Sequence, residues 1–284
     1  MRIPSLAAVA AALFGIAVAI VGIGLANAVT DPVVRRTAMT LPGWPTGAPP
    51  VTVALISDLH VGNATMRAGR LDRVMAQVTA LRPDLILLAG DFIGGHRPDD
   101  AAIAEPILLQ GLKQLHAPLG VVAVLGNHDH WTDAARVRAA LRGAGVRVIE
   151  NDAVRLGPVV IGGLGDAVTR HDRLGQTIAA MRAKGGGRVM LAHSPDTAPD
   201  LPDDVPVLLA GHTHCGQVVL PLYGAIVSVS RYGDRYRCGV VAEGARRTIV
   251  TAGLGTSGPP LRYGAPPDLW LIQMGPAPVS RPRS

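Results

Sequence analysis

Six short apolar runs recur along this chain, and each stops abruptly at polar residues. They are Val51–Ser57, Leu85–Ala89, Val121–Leu125, Val159–Gly163, Val189–Ala192 and Val207–Ala210. Each has the length of a buried strand. Helical periodicity fills several of the gaps. Arg70–Leu81 places Leu71, Val74, Met75, Val78 and Leu81 on one face, and Ala134–Leu141 and Leu174–Met181 follow the same rule. Strands alternating with amphipathic helices predict an α/β layered fold. The later runs Val218–Leu220, Ala225–Ser230, Thr248–Thr251 and Leu269–Met274 have turns but no long helices between them. They predict a second, mostly antiparallel sheet.

The residues that stop these runs are chemically unusual. Asp58 and His60 follow the first, in Ser57-Asp58-Leu59-His60, and Asp91 follows the second, after Gly90. Gly126-Asn127-His128-Asp129 follows the third, His193 follows Val189–Ala192, and Gly211-His212-Thr213-His214 follows Val207–Ala210. Ligands of open α/β sheets sit beyond the carboxyl ends of strands. Five strand ends thus aim carboxylates and imidazoles at one crevice. Asp-x-His and His-x-His let two side chains reach one centre as the backbone leaves the sheet. Glycines at 90, 126 and 211 suit tight turns beside a metal or phosphate. A donor set of Asp, His and Asn without a thiolate cluster suits divalent Mn, Fe, Zn or Co rather than structural zinc. Taken singly, His193 could be a core histidine, His128 a further ligand or a turn residue, and Asp129 a helix cap.

In this order, D-x-H, G-D, G-N-H-D, a lone His and G-H-T-H resemble the calcineurin-like metallophosphoesterases over roughly residues 51–275. The stretch Gly211-His-Thr-His-Cys-Gly-Gln, then Gly253-Leu-Gly-Thr-Ser and Arg262, resembles a subgroup with an N-terminal anchor that includes enzymes similar to UDP-diacylglucosamine pyrophosphatases. The resemblance implies a four-layer sandwich of two mixed β-sheets flanked by helices. It implies that Asp58, His60 and His214 bind one metal ion and that Asn127, His193 and His212 bind the other, with Asp91 bridging. It also makes His128 a catalytic group that binds a phosphate oxygen or protonates the leaving group, with Asp129 orienting its ring. A pair of cations would neutralise both the attacking and the leaving oxygens of an in-line displacement. Arg262, or the cluster Arg231, Tyr232, Arg235, Tyr236 and Arg237, is a candidate for substrate phosphate; a solvated hairpin is the simpler reading of the cluster. His96, His116, His130 and His171 lie outside the blocks and are expected at the surface or behind the ligands.

No charged residue occurs between Arg2 and Asp31, and Leu6–Ala28 is apolar apart from small residues and Asn27. This is long enough to span ~30 Å of hydrocarbon as a helix. Ala26-Asn27-Ala28 has the form of a cleavage site, but the apolar run exceeds the roughly 7–15 residues of a signal core. Residues 1–30 are therefore expected to be an uncleaved membrane anchor, with secretion after cleavage the alternative. Arg2 on one side and Arg35 and Arg36 on the other leave the membrane face open. Residues 31–50, rich in proline, read as a linker or edge strand, 51–275 as the catalytic domain and 276–284 as a flexible tail.

The net charge of +6 comes almost wholly from scattered arginine, and aromatics make up 3%. A stacking platform for single-stranded nucleic acid needs interleaved aromatics, so a nucleic-acid partner is not expected. Nothing in the sequence calls for an obligate protein partner. The two cysteines, Cys215 and Cys238, are read as free thiols, with pairing the alternative in an oxidising compartment. The expected reaction is hydrolysis of a phosphodiester or pyrophosphate bond. The anchor points to a lipid-linked substrate; soluble nucleotides or glycerophosphodiesters are the alternative. A membrane-bound scaffold without catalysis is disfavoured because every ligand is retained.

Overall fold

The computed structural model describes residues 5–276. Apart from Pro276, the expected tail lies outside the described residues, as does Arg2. Two six-stranded mixed sheets form the centre. The first comprises β1 (Val33–Thr40), β2 (Val51–Ile56), β3 (Leu85–Ala89), β4 (Val121–Val124), β5 (Arg147–Val148) and the last strand, β14 (Asp268–Gly275), in the order β1-β14-β2-β3-β4-β5. The second comprises β6 (Asp152–Leu156), β7 (Val159–Gly163), β8 (Gly187–Leu191), β9 (Val207–Ala210), β12 (Gly239–Glu243) and β13 (Arg246–Val250), in the order β12-β13-β9-β8-β7-β6. A separate small hairpin pairs β10 (Val219–Leu220) with β11 (Gly224–Ala225).

The helices are α1 (Leu6–Ala28), α2 (Ala68–Ala80), α3 (Pro98–Leu112), α4 (Asn127–Thr132), α5 (Ala134–Gly143) and α6 (Leu174–Arg182). Alternation along the strands builds the layers. Val53, Leu55, Leu87, Val122, Ile161 and Val189 fill the space between the sheets. Ile56, Ile86 and Leu88 turn the other way, onto Leu71, Leu108 and Leu141 of α2, α3 and α5. Val160, Met190 and Leu208 do the same against Met181 of α6. The result is the α/β/β/α sandwich expected from the sequence.

The sheet assignments differ from expectation in three places. Val218–Leu220 and Ala225–Ser230 do not join the second sheet; they contribute to the separate hairpin β10–β11. The second sheet is mostly parallel: β7, β8, β9 and β13 run together, and only the edge strands β6 and β12 are antiparallel. The run Leu269–Met274 is not part of it. As β14 it lies in the first sheet between β1 and β2, with Leu269, Ile272 and Met274 buried. A run that is apolar at successive positions suits a strand covered on both faces, and its neighbours in sequence do not reveal which sheet covers it.

The proline-rich segment is the edge strand β1, paired with β14 from Val33↔Asp268 to Thr40↔Gly275, and then a loop whose Leu41 and Trp44 are buried. It is not a free spacer. At 1.5 Å per residue, the 23 residues of α1 extend ~34 Å. Helix α1 is long and apolar enough to cross a membrane and is exposed except where Gly24 and Ala28 meet the domain.

Candidate metal centre

Beyond the strand ends the backbone turns through the left-handed region at Asp58 (φ 51°), His60 (47°), Asp91 (55°), His212 (70°) and His214 (50°). Side-chain-bearing residues rarely adopt it, and such strain persists where surrounding structure enforces it. These reversals bring side chains from both sheets to one point. Gly90 (φ +85°) shows how tightly: a Cβ there would lie 2.7 Å from Gly126 N and 2.8 Å from His193 Nδ1. Only glycine fits.

Two donor groups result. In the first, His60 Nε2 lies 3.1 Å from His214 Nε2, and His214 Nε2 is 3.5 Å from Asp58 Oδ1. In the second, His193 Nε2 lies 3.0 Å from Asn127 Oδ1, with the His212 ring 4.9 Å from that of His193. Asp91 joins them: its Oδ2 is 3.2 Å from His193 Nε2 and 3.7 Å from His60 Nε2. Asp58, His60, Asp91, Asn127, His193 and His214 are all buried.

These residues fit divalent cations. Nδ1 of His193 sits on Ala89 O at 2.7 Å, which points Nε2 at Asp91 and Asn127. Burial would lower the His193 pKa, but Asp91 beside it raises it well above the usual imidazole value, so a metal ion would bind there by displacing the Nε2 proton. Burial pushes His60 down to about 3 and His212 to about 4, so both imidazoles keep a lone pair at neutral pH. Burial raises Asp58 to about 6. For Asp91 burial acts the same way, but His193 and the other surrounding imidazoles outweigh it and hold the carboxyl well below its usual range. A buried cluster of carboxylates and imidazoles whose oxygen and nitrogen atoms converge is a ligand set for metal, which binds as the protons leave.

Three expectations need correction. Asp129 does not orient the His128 ring. Its carboxylate accepts the backbone N–H groups of Asp91 (3.0 Å), Phe92 (2.9 Å), Ile93 (3.3 Å) and Gly126 (2.9 Å), clamping the Asp91 turn to the Asn127 turn. The ring is held by Gly95 O, 2.8 Å from His128 Nδ1, and His128 Nε2 lies 3.4 Å from Ser257 Oγ. Arg262 is wholly buried and is no substrate-phosphate contact. Its guanidinium donates to the carbonyls of Ala252, Gly253, Gly255 and Ala265 and lies 3.4 Å from His214 Nδ1. Cys215 and Cys238 are not free thiols. They form a disulfide with Cα atoms 4.6 Å apart, toward the short end of the usual range, because the chain folds back from β11 to place Cys238 beside the His214 turn.

Nor is the Arg231–Arg237 cluster a solvated hairpin: Gly233–Tyr236 forms a 3₁₀ turn with Tyr236 buried. Arg231, Arg235 and Arg237 pair with Asp196 and Asp200, Glu243 and Asp234. His116 is exposed, and His130 stacks on His171 at 3.9 Å, away from the centre. His96 is exposed as expected but also lies against the site, and Trp131 and Asn63 went unnoticed in the sequence. His96 and Trp131 flank the His128 ring at 4.7 and 5.0 Å. Asn63 donates to Thr256 O at 2.6 Å, and Gln217 to Ser257 O at 3.0 Å, fastening the loop over the centre. Only the Gly253-Leu-Gly-Thr-Ser string hinted at that loop.

Residues 51–216 match the family described as calcineurin-like phosphoesterase. An uncharacterized metallophosphoesterase of Aquifex aeolicus (strain VF5) is 31% identical over 226 residues, covering 76% of this chain and 82% of that protein. The metallophosphoesterase YkuE of Bacillus subtilis (strain 168) is 28% identical over 262 residues, covering 89% and 90%. A transmembrane protein with metallophosphoesterase domain from Danio rerio is 26% identical over 267 residues, covering 88% of this chain and 59% of its own. Among solved structures, Pseudomonas putida nuclease MPE aligns with 72% of this chain and 76% of its own at 20% identity and a TM-score of 0.35. The matched family segment contains every donor from Asp58 to His214, so the chain belongs to the calcineurin-like phosphoesterase family and is a metal-dependent phosphoric ester hydrolase.

Proposed function

We propose that this chain is a membrane-anchored, dinuclear phosphoesterase that cleaves a phosphodiester or pyrophosphate bond in a lipid-linked substrate, of the kind represented by UDP-diacylglucosamine. The observation that carries the dinuclear reading is the position of Asp91 Oδ2, within 3.2 Å of His193 and 3.7 Å of His60. Asp58, His60 and His214 would hold one ion, Asn127, His193 and His212 the other, and Asp91 both. Two cations of the Mn, Fe, Zn or Co type would supply Lewis-acid stabilisation of the attacking and leaving oxygens and a water of near-neutral pKa. His128, its Nδ1 fixed on Gly95 O, directs Nε2 into the centre to bind a phosphate oxygen and protonate the departing one. Asp129 keeps the Asp91 and Asn127 turns in register.

The docking of α1 supports a retained anchor. Arg262 N–H donates to Gly24 O at 3.0 Å, and Asn27 Nδ2 donates to Arg262 O at 3.2 Å. Cleavage after Ala28 would discard both partners of the buried Arg262 loop. The disulfide favours the oxidising, non-cytosolic face, since cytosolic thiols are kept reduced. The groove described below favours a lipid-linked substrate over soluble nucleotides or glycerophosphodiesters.

The test uses full-length protein in lipid nanodiscs, stripped of metal and reloaded with Mn²⁺, acting on bis-p-nitrophenyl phosphate and on the monoester. Metal-dependent turnover that prefers the diester is expected. An inert protein that binds two ions would indicate a scaffold, and failure to bind metal would sink the dinuclear reading.

A further inference from the structure

From Cys215 to Ser230 the sequence has no charged residue, and the fold leaves this stretch uncovered. Leu222 and Tyr223 at the β10–β11 turn are exposed, and Ile226, Val227 and Val229 after it are at least half exposed. A contiguous apolar surface of this kind marks an interaction site. The stretch begins at a metal-ligand position, His214. Between it and the loop 257–261 runs a groove of ≈ 490 Å³, lined by His214 together with Val218, Ile226, Val227, Val229 and Leu261. That volume is in the range of small-molecule sites.

The same wall carries the membrane helix. Besides the two hydrogen bonds to Arg262, Gly24 of α1 lies against the Tyr263 ring, so close that a Cβ on Gly24 would stand 2.6 Å from Tyr263 Cε2. Tyr263 N–H donates to Gln217 O at 3.0 Å, and Val219 N–H donates to Tyr263 O at 2.8 Å. The last turns of α1, the segment 262–263 and the start of the apolar hairpin are therefore joined side by side. The groove opens one segment away from the point where a helix of membrane-spanning length meets the domain; with α1 in a bilayer, its apolar rim would face the bilayer surface.

We infer that this groove is an acyl-chain subsite: the hydrocarbon chain of a membrane lipid phosphoester lies along Val218, Ile226, Val227 and Leu261 while its phosphate sits at the Asp91-centred cluster. Leu222 and Tyr223 at the hairpin tip rest in the bilayer interface. The inference builds on the phosphoesterase reading above and names the substrate class of that same centre.

The test measures p-nitrophenol release from p-nitrophenyl alkyl phosphodiesters whose alkyl arm grows from methyl to hexyl, using full-length protein in nanodiscs. Each buried methylene is worth ≈ 0.8 kcal/mol, about fourfold in kcat/KM when fully desolvated. The readout is the hexyl-to-methyl ratio within each protein, so a general loss of activity cancels. A ratio of at least 100-fold in wild type and in Ile103→Glu, a control on exposed α3, is expected to collapse toward unity in Ile226→Glu and Val227→Asp. A flat ratio in wild type, with the methyl ester still turned over in a metal-dependent way, would overturn the subsite alone. A steep ratio that survives both groove variants would place the chain elsewhere and also overturn it. No metal-dependent turnover of any ester would bring down the phosphoesterase reading and the subsite with it.

Discussion

Asp91 and Asp129 hold each other's turns: the Asp129 carboxylate accepts the Asp91 N–H at 3.0 Å, while Asp91 Oδ1 accepts the His128 N–H one residue earlier in chain at 2.8 Å. Asp129→Ala would orphan the other buried N–H groups it serves as well. A loss of about 3–5 kcal/mol is expected, since each buried N–H left without a partner costs ~1–3 kcal/mol and such costs are not additive. Chemical denaturation measures it. A variant of unchanged stability would show that water replaces the carboxylate.

Asp91 and His128 should separate metal binding from turnover. Asp91→Asn is expected to bind at most one ion and to lose about 10³-fold in kcat/KM, matching the several kcal/mol that paired cations contribute. His128→Ala should keep two ions and lose roughly 10²–10⁴-fold in kcat. Elemental analysis beside steady-state rates distinguishes the two. One missing ion in His128→Ala would make His128 a ligand.

Arg262 contacts four carbonyls through a rigid planar fork, which an ammonium cannot match. Arg262→Lys should therefore lower stability nearly as much as Arg262→Ala, by about 3 kcal/mol. In the folded fraction KM should be preserved. A large rise in KM at unchanged stability would restore the phosphate-binding role assigned from the sequence.

Cys238→Ser removes a crosslink that closes 23 residues, with an expected cost of about 3 kcal/mol, or a fall in Tm of roughly 6–12 °C. Because Cys215 directly follows His214, dithiothreitol should also weaken the affinity for one of the two ions, read by metal titration. Thiol labelling of the native, unreduced protein should find no free cysteine.

Glu150 supplies a pH signature away from the centre. Burial would raise its carboxyl, but His130 at 3.5 Å and Arg138 at 2.6 Å prevail and hold it below the usual range. A depressed folded pKa stabilises above the ordinary glutamate range and is lost as pH falls through the folded value. The stability gap between wild type and Glu150→Gln should thus narrow on acidification. A gap independent of pH would assign the effect to packing.

The candidate ligand residues were legible because each stands at the end of a short apolar run, where a strand must release its chain into a turn. Helices α2, α5 and α6 were legible from their apolar stripes. Helix α3, with Pro98 at its start and Pro106 inside it, has no such stripe. The place of β14 was hidden because pairing partners are set by tertiary contacts, not by local pattern. Asp129 and Arg262 were found as polar residues in the right neighbourhood, but their partners are backbone groups distant in sequence, which motifs do not encode. The cysteine pairing depends on how the segment 216–237 returns, and spacing alone is silent on that.

Only Val29–Pro32 separate α1 from β1, a stretch of at most ~14 Å, and the end of α1 is already fastened at Gly24 and Asn27. A domain so attached has no leash on which to tumble. If α1 lies in a bilayer, the catalytic crevice patrols a plane at fixed height and fixed tilt. Its working concentration is then a surface density: turnover would follow the mole fraction of substrate among neighbouring lipids and would fall when inert lipid is added at constant total substrate.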